Sequence, residues 1–138
     1  MTNENTIKTF DEISEYFRTY IVKYISYQFN SPVYLVWYTD TDKEETDKFI
    51  TDKTKTIFAS ADINNILKAI TECKNNLLYS ENLEKWLTDG AKLSPIENCV
   101  FDIDQLENDI SNNNLTKDTL GAFVDFINIV GDYSAQID

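Results

Sequence analysis

The side chains in this sequence that could perform chemistry are mostly carboxylates, because the chain has 24 Asp plus Glu and no histidine. Histidine is the usual base of hydrolytic triads and dyads, and it is a common zinc ligand. Its absence excludes Ser-His-Asp triads, Cys-His dyads and every histidine-containing zinc site. The remaining question is whether the carboxylates are spaced to hold a metal ion or to attack a substrate.

The segment 40–47 (DTDKEETD) carries carboxylates at the spacing of the first half of a calcium-binding loop. Such a loop needs glycine at its sixth position and a bidentate glutamate at its twelfth. This chain has Glu45 and Thr51 at those positions. We therefore predict a solvated loop between two strands and no metal.

The stretch Phe101-Asp102-Ile103-Asp104 ends an apolar run in Asp-x-Asp. It resembles the segment by which haloacid-dehalogenase-like phosphatases present a nucleophile beside a magnesium ligand. That family continues with Thr or Val into a long α/β domain, whereas Gln105 follows here and only 32 residues remain after Leu106. The favoured alternative is a strand end with Asp104 capping the next helix. We predict no enzyme activity and no cofactor.

The two cysteines, Cys73 and Cys99, are too few for a disulfide framework, and both lie in apolar patterns typical of small core residues. Residues 1–9 are polar, with neither a basic patch nor an apolar run, and we expect them to be flexible. No apolar run approaches the roughly 20 residues that a membrane helix needs. We expect a cytoplasmic protein with reduced thiols.

Charge is distributed unevenly around a net value of -12. Residues 1–69 contain 11 acids and 8 bases, whereas residues 70–138 contain 13 acids and 4 bases. Such a charge repels nucleic acid and anionic lipid and attracts a basic protein. The candidate partner-binding residues are therefore Glu97, Asp102, Asp104, Glu107, Asp109, Asp118, Asp125 and Asp132. Secondary candidates are Asp40, Asp42, Glu44 and Glu45, with Tyr16, Tyr20 and Tyr27 as aromatic anchors.

The hydrophobic periodicity predicts eight elements in one α+β domain, a small sheet of three or more strands with about five helices packed mainly on one side. Residues 24–29, at the end of the first helix, suit a strand equally well. In the last helix we expect the apolar positions Leu120, Phe123, Val124, Ile127 and Val130 to face inward. The predicted elements are helix 10–29, strand 33–39, strand 54–59, helix 60–74, helix 81–89, strand 99–103, helix 104–110 and a last helix from residue 117.

Four segments in this order resemble bacterial immunity proteins of contact-dependent growth inhibition and related polymorphic toxin systems. They are the aromatic strand 33–39, Ile57-Phe58-Ala59-Ser60, the stretch 100–106 (VFDIDQL) and the stretch 123–132 (FVDFINIVGD). The stretch 79–87 is also similar to the acidic-aromatic helix of barstar-type ribonuclease inhibitors. The resemblance implies a protein that binds one cognate toxin domain, commonly a nuclease, in a 1:1 complex and covers its active site. A nucleic-acid-mimicking inhibitor and a generic acidic adaptor are the alternatives.

Overall fold

The computed structural model describes residues 8–43, 45–78 and 80–137. Residues 1–7 of the predicted flexible N-terminus (1–9) lie outside these ranges, as do Glu44, Tyr79 and Asp138. The described part contains five α-helices and two short 3-10 turns, at Ile63–Asn65 and Lys74–Asn76. The helices are α1 (Phe10–Phe17), α2 (Ile66–Glu72), α3 (Glu81–Gly90), α4 (Ile103–Ser111) and α5 (Lys117–Ile137).

A four-stranded mixed sheet forms the centre of the molecule. Its strands are β1 (Thr19–Ile25), β2 (Val33–Asp40), β3 (Thr46–Phe49) and β6 (Cys99–Asp102), and a separate short pair consists of β4 (Thr51–Asp52) and β5 (Leu77–Leu78). The order across the main sheet is β3-β2-β1-β6, with β6 parallel to β1 and the other pairs antiparallel. The predicted α+β class is confirmed.

The first predicted helix is wrong beyond residue 17, because the chain changes from helix to strand there. Arg18 adopts a left-handed conformation with φ of 50° and ends α1, and β1 follows at once. Residues 19–25 are rich in β-branched and aromatic side chains, which favour a strand once β2 and β6 are available as partners. The apolar residues that share a helical face in sequence are therefore split between two elements, with Phe10 and Ile13 on α1 and Ile21 on β1.

Two other predicted elements are also wrong. The strand after β2 is β3, not residues 54–59. It lies inside the polar segment that we expected to be a loop, and it forms there because its backbone groups pair with those of β2. The helix expected at 60–74 is a 3-10 turn followed by α2, and Asp62 rather than Ser60 accepts the capping hydrogen bond from Asn64. Cys73 lies after α2 and is exposed, so it is not a core residue.

The main core lies between one face of the sheet and helices α1, α2 and α3. The fully buried indole of Trp86 donates to Ser14 Oγ at 3.2 Å and contacts Phe10 edge-on. A glycine directly after the predicted helix 81–89 is typical of a left-handed residue past a helix end, but Gly90 is the last residue of α3 and does not have a positive φ. An added Cβ would lie 3.3 Å from both Phe10 and Leu67, so glycine permits this close helix packing.

The other face of the sheet is partly covered by α5, so the helices do not all lie on one side. Phe126, Ile129 and Tyr133 of α5 face Val22 and Leu35 across an apolar cleft of about 560 Å³. The predicted inward face is wrong for the most part: its five residues are 40% to 54% exposed, and of them Val130 lines this cleft. No helix in the described part of the chain is long and apolar enough to span a membrane.

Candidate functional site

The acids of the C-terminal third are not neutralised by nearby bases. The described residues form six salt bridges, and their acidic partners are Glu45, Glu97, Asp40, Glu72, Glu84 and Glu81. Among the described residues no acid from Asp102 to Asp132 takes part in one. All bases of the chain except Lys117 lie in its N-terminal two thirds, and the C-terminal carboxylates are left without ion pairs among the described residues.

Three of these carboxylates have structural roles. Asp102, not Asp104, is the N-cap of α4 and accepts the backbone N–H of Gln105 at 2.9 Å. Asp104 accepts the backbone N–H of Tyr27 at 2.9 Å, which ties the first turn of α4 to the end of β1. The two carboxylates of the Asp-x-Asp motif thus accept hydrogen bonds from different backbone N–H groups, and both stabilise the fold.

Asp109 joins α4 to α5. Its carboxylate accepts from the Thr119 hydroxyl at 3.3 Å and from the Gln105 side chain at 2.8 Å. Thr116, the residue before the predicted start of the last helix, caps α5, because its hydroxyl accepts the backbone N–H of Thr119 at 3.1 Å. Asp109 therefore orients the start of α5, and replacing it would disturb the fold as well as any interface.

Glu107, Asp118 and Asp125 are exposed and make no hydrogen bond or ion pair with any other described residue. Asp118 borders a shallow cleft of about 360 Å³ that Asp102 and Asp109 also line. Asp125 lies near the partly buried Cys99. Burial, together with the negative charge of Asp125, raises the pKa of this thiol to about 11. These three carboxylates are the ones most available to a cationic partner.

Asp132 lies at the far end of α5, next to the β2–β3 hairpin. It lines a second cleft together with Asp42, Asp47 and Lys48. Partial burial and the nearby Asp47 raise the pKa of Asp132, while the side chain of Trp37 acts in the opposite direction. The structure thus separates Asp132 from Glu107 and Asp118, and brings it to the hairpin that contains the secondary candidates.

The remaining acidic candidates differ in availability. Glu97 lies 3.8 Å from Lys23 and so is partly neutralised. Asp40 is buried and bonded to Lys48 at 3.0 Å, which makes it unsuitable as a contact residue because its carboxylate already has a cationic partner. Asp42 accepts the backbone N–H of Glu81 at the start of α3, and Glu45 forms a 2.6 Å ion pair with Arg18. Glu44 lies outside the described residues.

The three candidate tyrosines occupy different environments. Tyr16 and Tyr27 are 70% and 74% exposed, but the Tyr16 ring already contacts the Lys8 ammonium, 4.7 Å from its centre, and packs edge-on against Phe17. Tyr20 packs against Trp37 and donates to Glu15 at 3.0 Å. Burial and this carboxylate raise the pKa of Tyr20 to about 12. Tyr20 is therefore a packing residue of the sheet.

Helix α5 is held at both ends by hydrogen bonds. At its start Thr119 bonds to Asp109, and at its end Gln136 forms two bonds, of 2.9 and 2.8 Å, with the backbone of Phe49 on the edge strand β3. Lys55 also donates to the carbonyl of Ile137, and the Tyr133 hydroxyl donates to the carbonyl of Lys55. These contacts fix the rotation of α5 about its own axis.

Sequence reasoning missed the exposed apolar side chains of α5. The fixed rotation directs Phe126, Ile129 and Tyr133 to the sheet, with Val130 at the edge of the same cleft, and leaves the remaining large apolar side chains in solvent. The signal was present in the sequence, since α5 has more apolar positions than a single buried stripe requires. The exposed residues are Leu120, Phe123, Val124, Ile127 and Val130.

The described residues contain no group of three or more Cys, Asp or Glu side chains that could hold a metal ion. The chemistry available at this surface is therefore charge attraction combined with apolar contact. Comparison of the chain with models of protein families, with curated proteins and with solved structures found no match.

Proposed function

We propose that this protein is a bacterial immunity protein that acts in the cytosol by binding a cognate toxin domain with a basic surface, most simply a nuclease, and covering its active site. The observation that carries the proposal is the segregation of charge. The acids from Asp102 to Asp132 form no ion pair within the described part of the chain, whereas the acids before them form six. The resemblance to immunity proteins in the order of its segments agrees with this role.

The physical basis is electrostatic complementarity. A nuclease needs a basic cleft to hold the phosphates of its substrate, so an uncompensated acidic surface can occupy the same cleft. The attraction raises the association rate before contact, over a Debye length of about 8 Å at physiological salt. Unpaired carboxylates at Glu107, Asp118 and Asp125 cost little stability in the free protein and gain cationic partners in the complex.

The test uses the toxin domain encoded by the gene immediately upstream of the gene for this chain. Expression of that domain should kill cells, and co-expression of this protein should restore growth. A catalytically inactive form of the domain should bind this protein in a 1:1 complex, measured by calorimetry. A protein that leaves the toxin fully active and shows no binding would refute the proposal.

A parallel experiment separates this role from nucleic-acid mimicry. A mimic should also bind unrelated DNA-binding proteins, because it imitates the phosphate charge they all recognise. An immunity protein should bind its cognate domain and not a panel of unrelated nucleases. Comparable affinity across such a panel would favour the mimic.

A further inference from the structure

The apolar cleft between α5 and the sheet crosses the whole width of the sheet. Each of the four strands contributes to its floor, from Phe49 on the edge strand β3 to Phe101 on the opposite edge strand β6. Four strands spaced about 4.8 Å apart make this floor about 14 Å long. The volume of about 560 Å³ lies in the range of about 300 to 1,000 Å³ that is typical of sites for small molecules.

Helix α5 is held over this floor at both of its ends. Gln136 forms two hydrogen bonds with the backbone of Phe49, and the ring of Tyr133 packs edge-on against Phe49 with centroids 6.2 Å apart. At the start of α5, Thr119 bonds to Asp109. These contacts set the distance between α5 and the sheet, so the chain itself does not fill the cleft.

The border of the cleft is mostly apolar. Phe126, Ile129 and Val130 of α5 line it, together with Phe29 and the segment 57–59. Phe29 and Val130 are 46% and 47% exposed, which leaves the cleft open to a ligand from solvent. Water makes few hydrogen bonds in such a space, and an apolar group that displaces it gains the free energy of burial. The occupant must therefore have an apolar body.

Lys55 is the one residue with a full charge among the described residues that line the cleft. Its ammonium donates to the carbonyl of Ile137 at 2.9 Å, and its own carbonyl accepts from the Tyr133 hydroxyl at 3.1 Å. An ammonium has three N–H donors, so two remain for a ligand. Lys55 forms no salt bridge with any described residue. The end of the cleft near Tyr133 therefore offers an uncompensated positive charge.

The backbone of Lys55 is in the left-handed region, with a φ of 68°. This region favours glycine and asparagine and is strained for a lysine. The Asp52 carboxylate holds the turn by accepting the backbone N–H groups of Thr54 and Thr56. Strained backbone of this kind concentrates at functional sites. A lysine at this position supplies an ammonium that glycine would lack.

The opposite end of the cleft lies close to a negative charge. Tyr24 on β1 and Phe101 on β6 are paired there, across the sheet from Phe49. Burial and the nearby carboxylate of Asp104 raise the pKa of Tyr24. An anionic group would be attracted to Lys55 at one end and repelled by Asp104 at the other. An anionic ligand therefore has one favoured orientation, with its head at Lys55 and its apolar tail toward Phe101.

The net charge limits what this ligand can be. A chain of net charge -12 repels anions at long range, so a polyanion such as a nucleotide is disfavoured. A second copy of the chain would bring the same net charge against the first. A ligand with one negative charge and a long apolar tail gains from Lys55 and from burial and experiences the least repulsion.

We propose that this cleft binds a linear alkyl carboxylate of medium length, with the carboxylate at Lys55 and the alkyl chain across the sheet toward Phe101. An extended decanoate has a length comparable to the width of the sheet. This site goes beyond the proposed function and does not depend on it, because it needs no partner protein.

The test measures decanoate binding to the purified protein by isothermal titration calorimetry. We expect one equivalent to bind with a Kd of about 10 to 100 µM. Lys55→Met keeps the apolar stem of the side chain and removes the charge, and it should weaken decanoate binding about fivefold to tenfold. Lys53→Met changes an exposed lysine of the same turn that does not line the cleft, and it should bind decanoate as the wild type does.

A neutral ligand separates the effect of the head from that of the tail. 1-Decanol has no charge, so it should bind the wild type and Lys55→Met with equal affinity. A loss of 1-decanol binding in Lys55→Met as large as the loss of decanoate binding would show that Lys55 acts by positioning α5, and would overturn the assignment of the head group.

Filling the cleft tests its location. Ala59→Trp places an indole at the border of the cleft and should weaken both ligands at least about tenfold, because it competes with the alkyl chain for space. Ala61→Trp, at a nearby exposed alanine that does not line the cleft, is the matched control. Since both positions are exposed, the melting midpoints should stay within about 3 °C of the wild type. Methyl NMR signals of Leu35 and Ile129 should shift when decanoate is added.

Three results would overturn the proposal. They are an absence of saturable decanoate binding, binding that Ala59→Trp leaves unchanged, and a wild-type dimer in light scattering that Ala59→Trp converts to a monomer. The last result would make a second copy the occupant. Binding of the toxin domain is a separate measurement, so the site for the carboxylate and the proposed function can fail independently.

Discussion

The side-chain amide of Asn82 on α3 donates a 2.8 Å hydrogen bond to the backbone carbonyl of Thr39 near the end of β2. The same Nδ2 donates to the carbonyl of Phe17 at 2.8 Å, and Oδ1 accepts from the Thr41 hydroxyl and from Ser80. One buried side chain therefore joins α1, α3 and the sheet. Two of its four partners are main-chain carbonyls, of which that of Thr39 forms a buried hydrogen bond.

The first prediction concerns this contact. Asn82→Ala leaves buried carbonyls with fewer donors, and we expect it to lower the free energy of unfolding by about 2 kcal/mol. Asn75→Ala removes an exposed asparagine from the 3-10 turn after α2 and should change stability by about 0.5 kcal/mol or less. Urea denaturation of the two variants measures the difference. Equal stability of both would show that Asn82 is hydrated in solution.

The second prediction concerns the thiols. Burial and the charge of Asp125 raise the pKa of Cys99 to about 11, so roughly one thiol in a thousand is ionised at pH 8. Cys73 is exposed. Iodoacetamide at pH 8 should therefore modify Cys73 much faster than Cys99 in the native protein, as measured by peptide mass spectrometry.

A variant connects this result to the position of α5. Asp125→Asn removes a nearby negative charge, which should lower the pKa of Cys99 and raise its labelling rate a few-fold, with Cys73 unaffected. Both thiols should react at similar rates in 8 M urea. An unchanged Cys99 rate in Asp125→Asn would mean that α5 does not lie beside β6 in solution.

The third prediction concerns Asp132, whose pKa is raised by partial burial and by Asp47. Because the folded-state pKa lies above the unfolded value, the native state holds this proton more tightly than the unfolded chain does. The free energy of unfolding therefore falls as pH rises through the folded-state pKa. Asp132→Asn should stabilise the protein at pH 7 by about 0.5 kcal/mol, a small gain because the carboxyl is only partly buried.

At pH 3.5 the stabilisation by Asp132→Asn should be almost lost, because the wild-type Asp132 carboxyl is then mostly protonated. Carboxyl ¹³C NMR titration provides a direct check. Asp47→Asn should lower the pKa of Asp132, since it removes the neighbouring negative charge. An Asp132 pKa at or below 3.8 in the wild-type protein would contradict the prediction.

The fourth prediction separates the acidic surface from net charge. The triple variant Glu107→Gln, Asp118→Asn, Asp125→Asn should slow association with the cognate toxin domain by roughly fivefold at low salt, with dissociation little changed. The effect should shrink as salt rises, because screening weakens long-range attraction. Stopped-flow fluorescence measures these rates.

A control with the same change in net charge tests whether position matters. Glu72→Gln, Glu81→Gln and Asp89→Asn remove three exposed acids from α2 and α3. We expect a smaller decrease in association rate from this set than from the C-terminal set. Equal decreases in the two triple variants would mean that net charge alone accelerates binding.

Local sequence patterns account for several features of this protein. The capping box of Thr9 and Glu12 begins α1, the β-branched run at 33–39 forms β2, and Thr116 caps α5. These features depend on neighbouring residues alone, so a short window contains the information. The α+β class and the concentration of uncompensated acids in the C-terminal third likewise follow from composition and order.

Tertiary contacts decided the rest. The chain turns from α1 into β1 at Arg18 because β2, the next strand along the chain, and β6, distant in sequence, supply the partners of a central strand. The polar segment 46–49 becomes an edge strand through pairing with β2, which periodicity cannot reveal. Helix α5 has apolar positions on two sides, and only the bonds of Thr119 and Gln136 at its ends select the side that faces the sheet. Contacts between separate elements, which no local pattern encodes, therefore leave the side chains of Leu120, Val124 and Ile127 exposed.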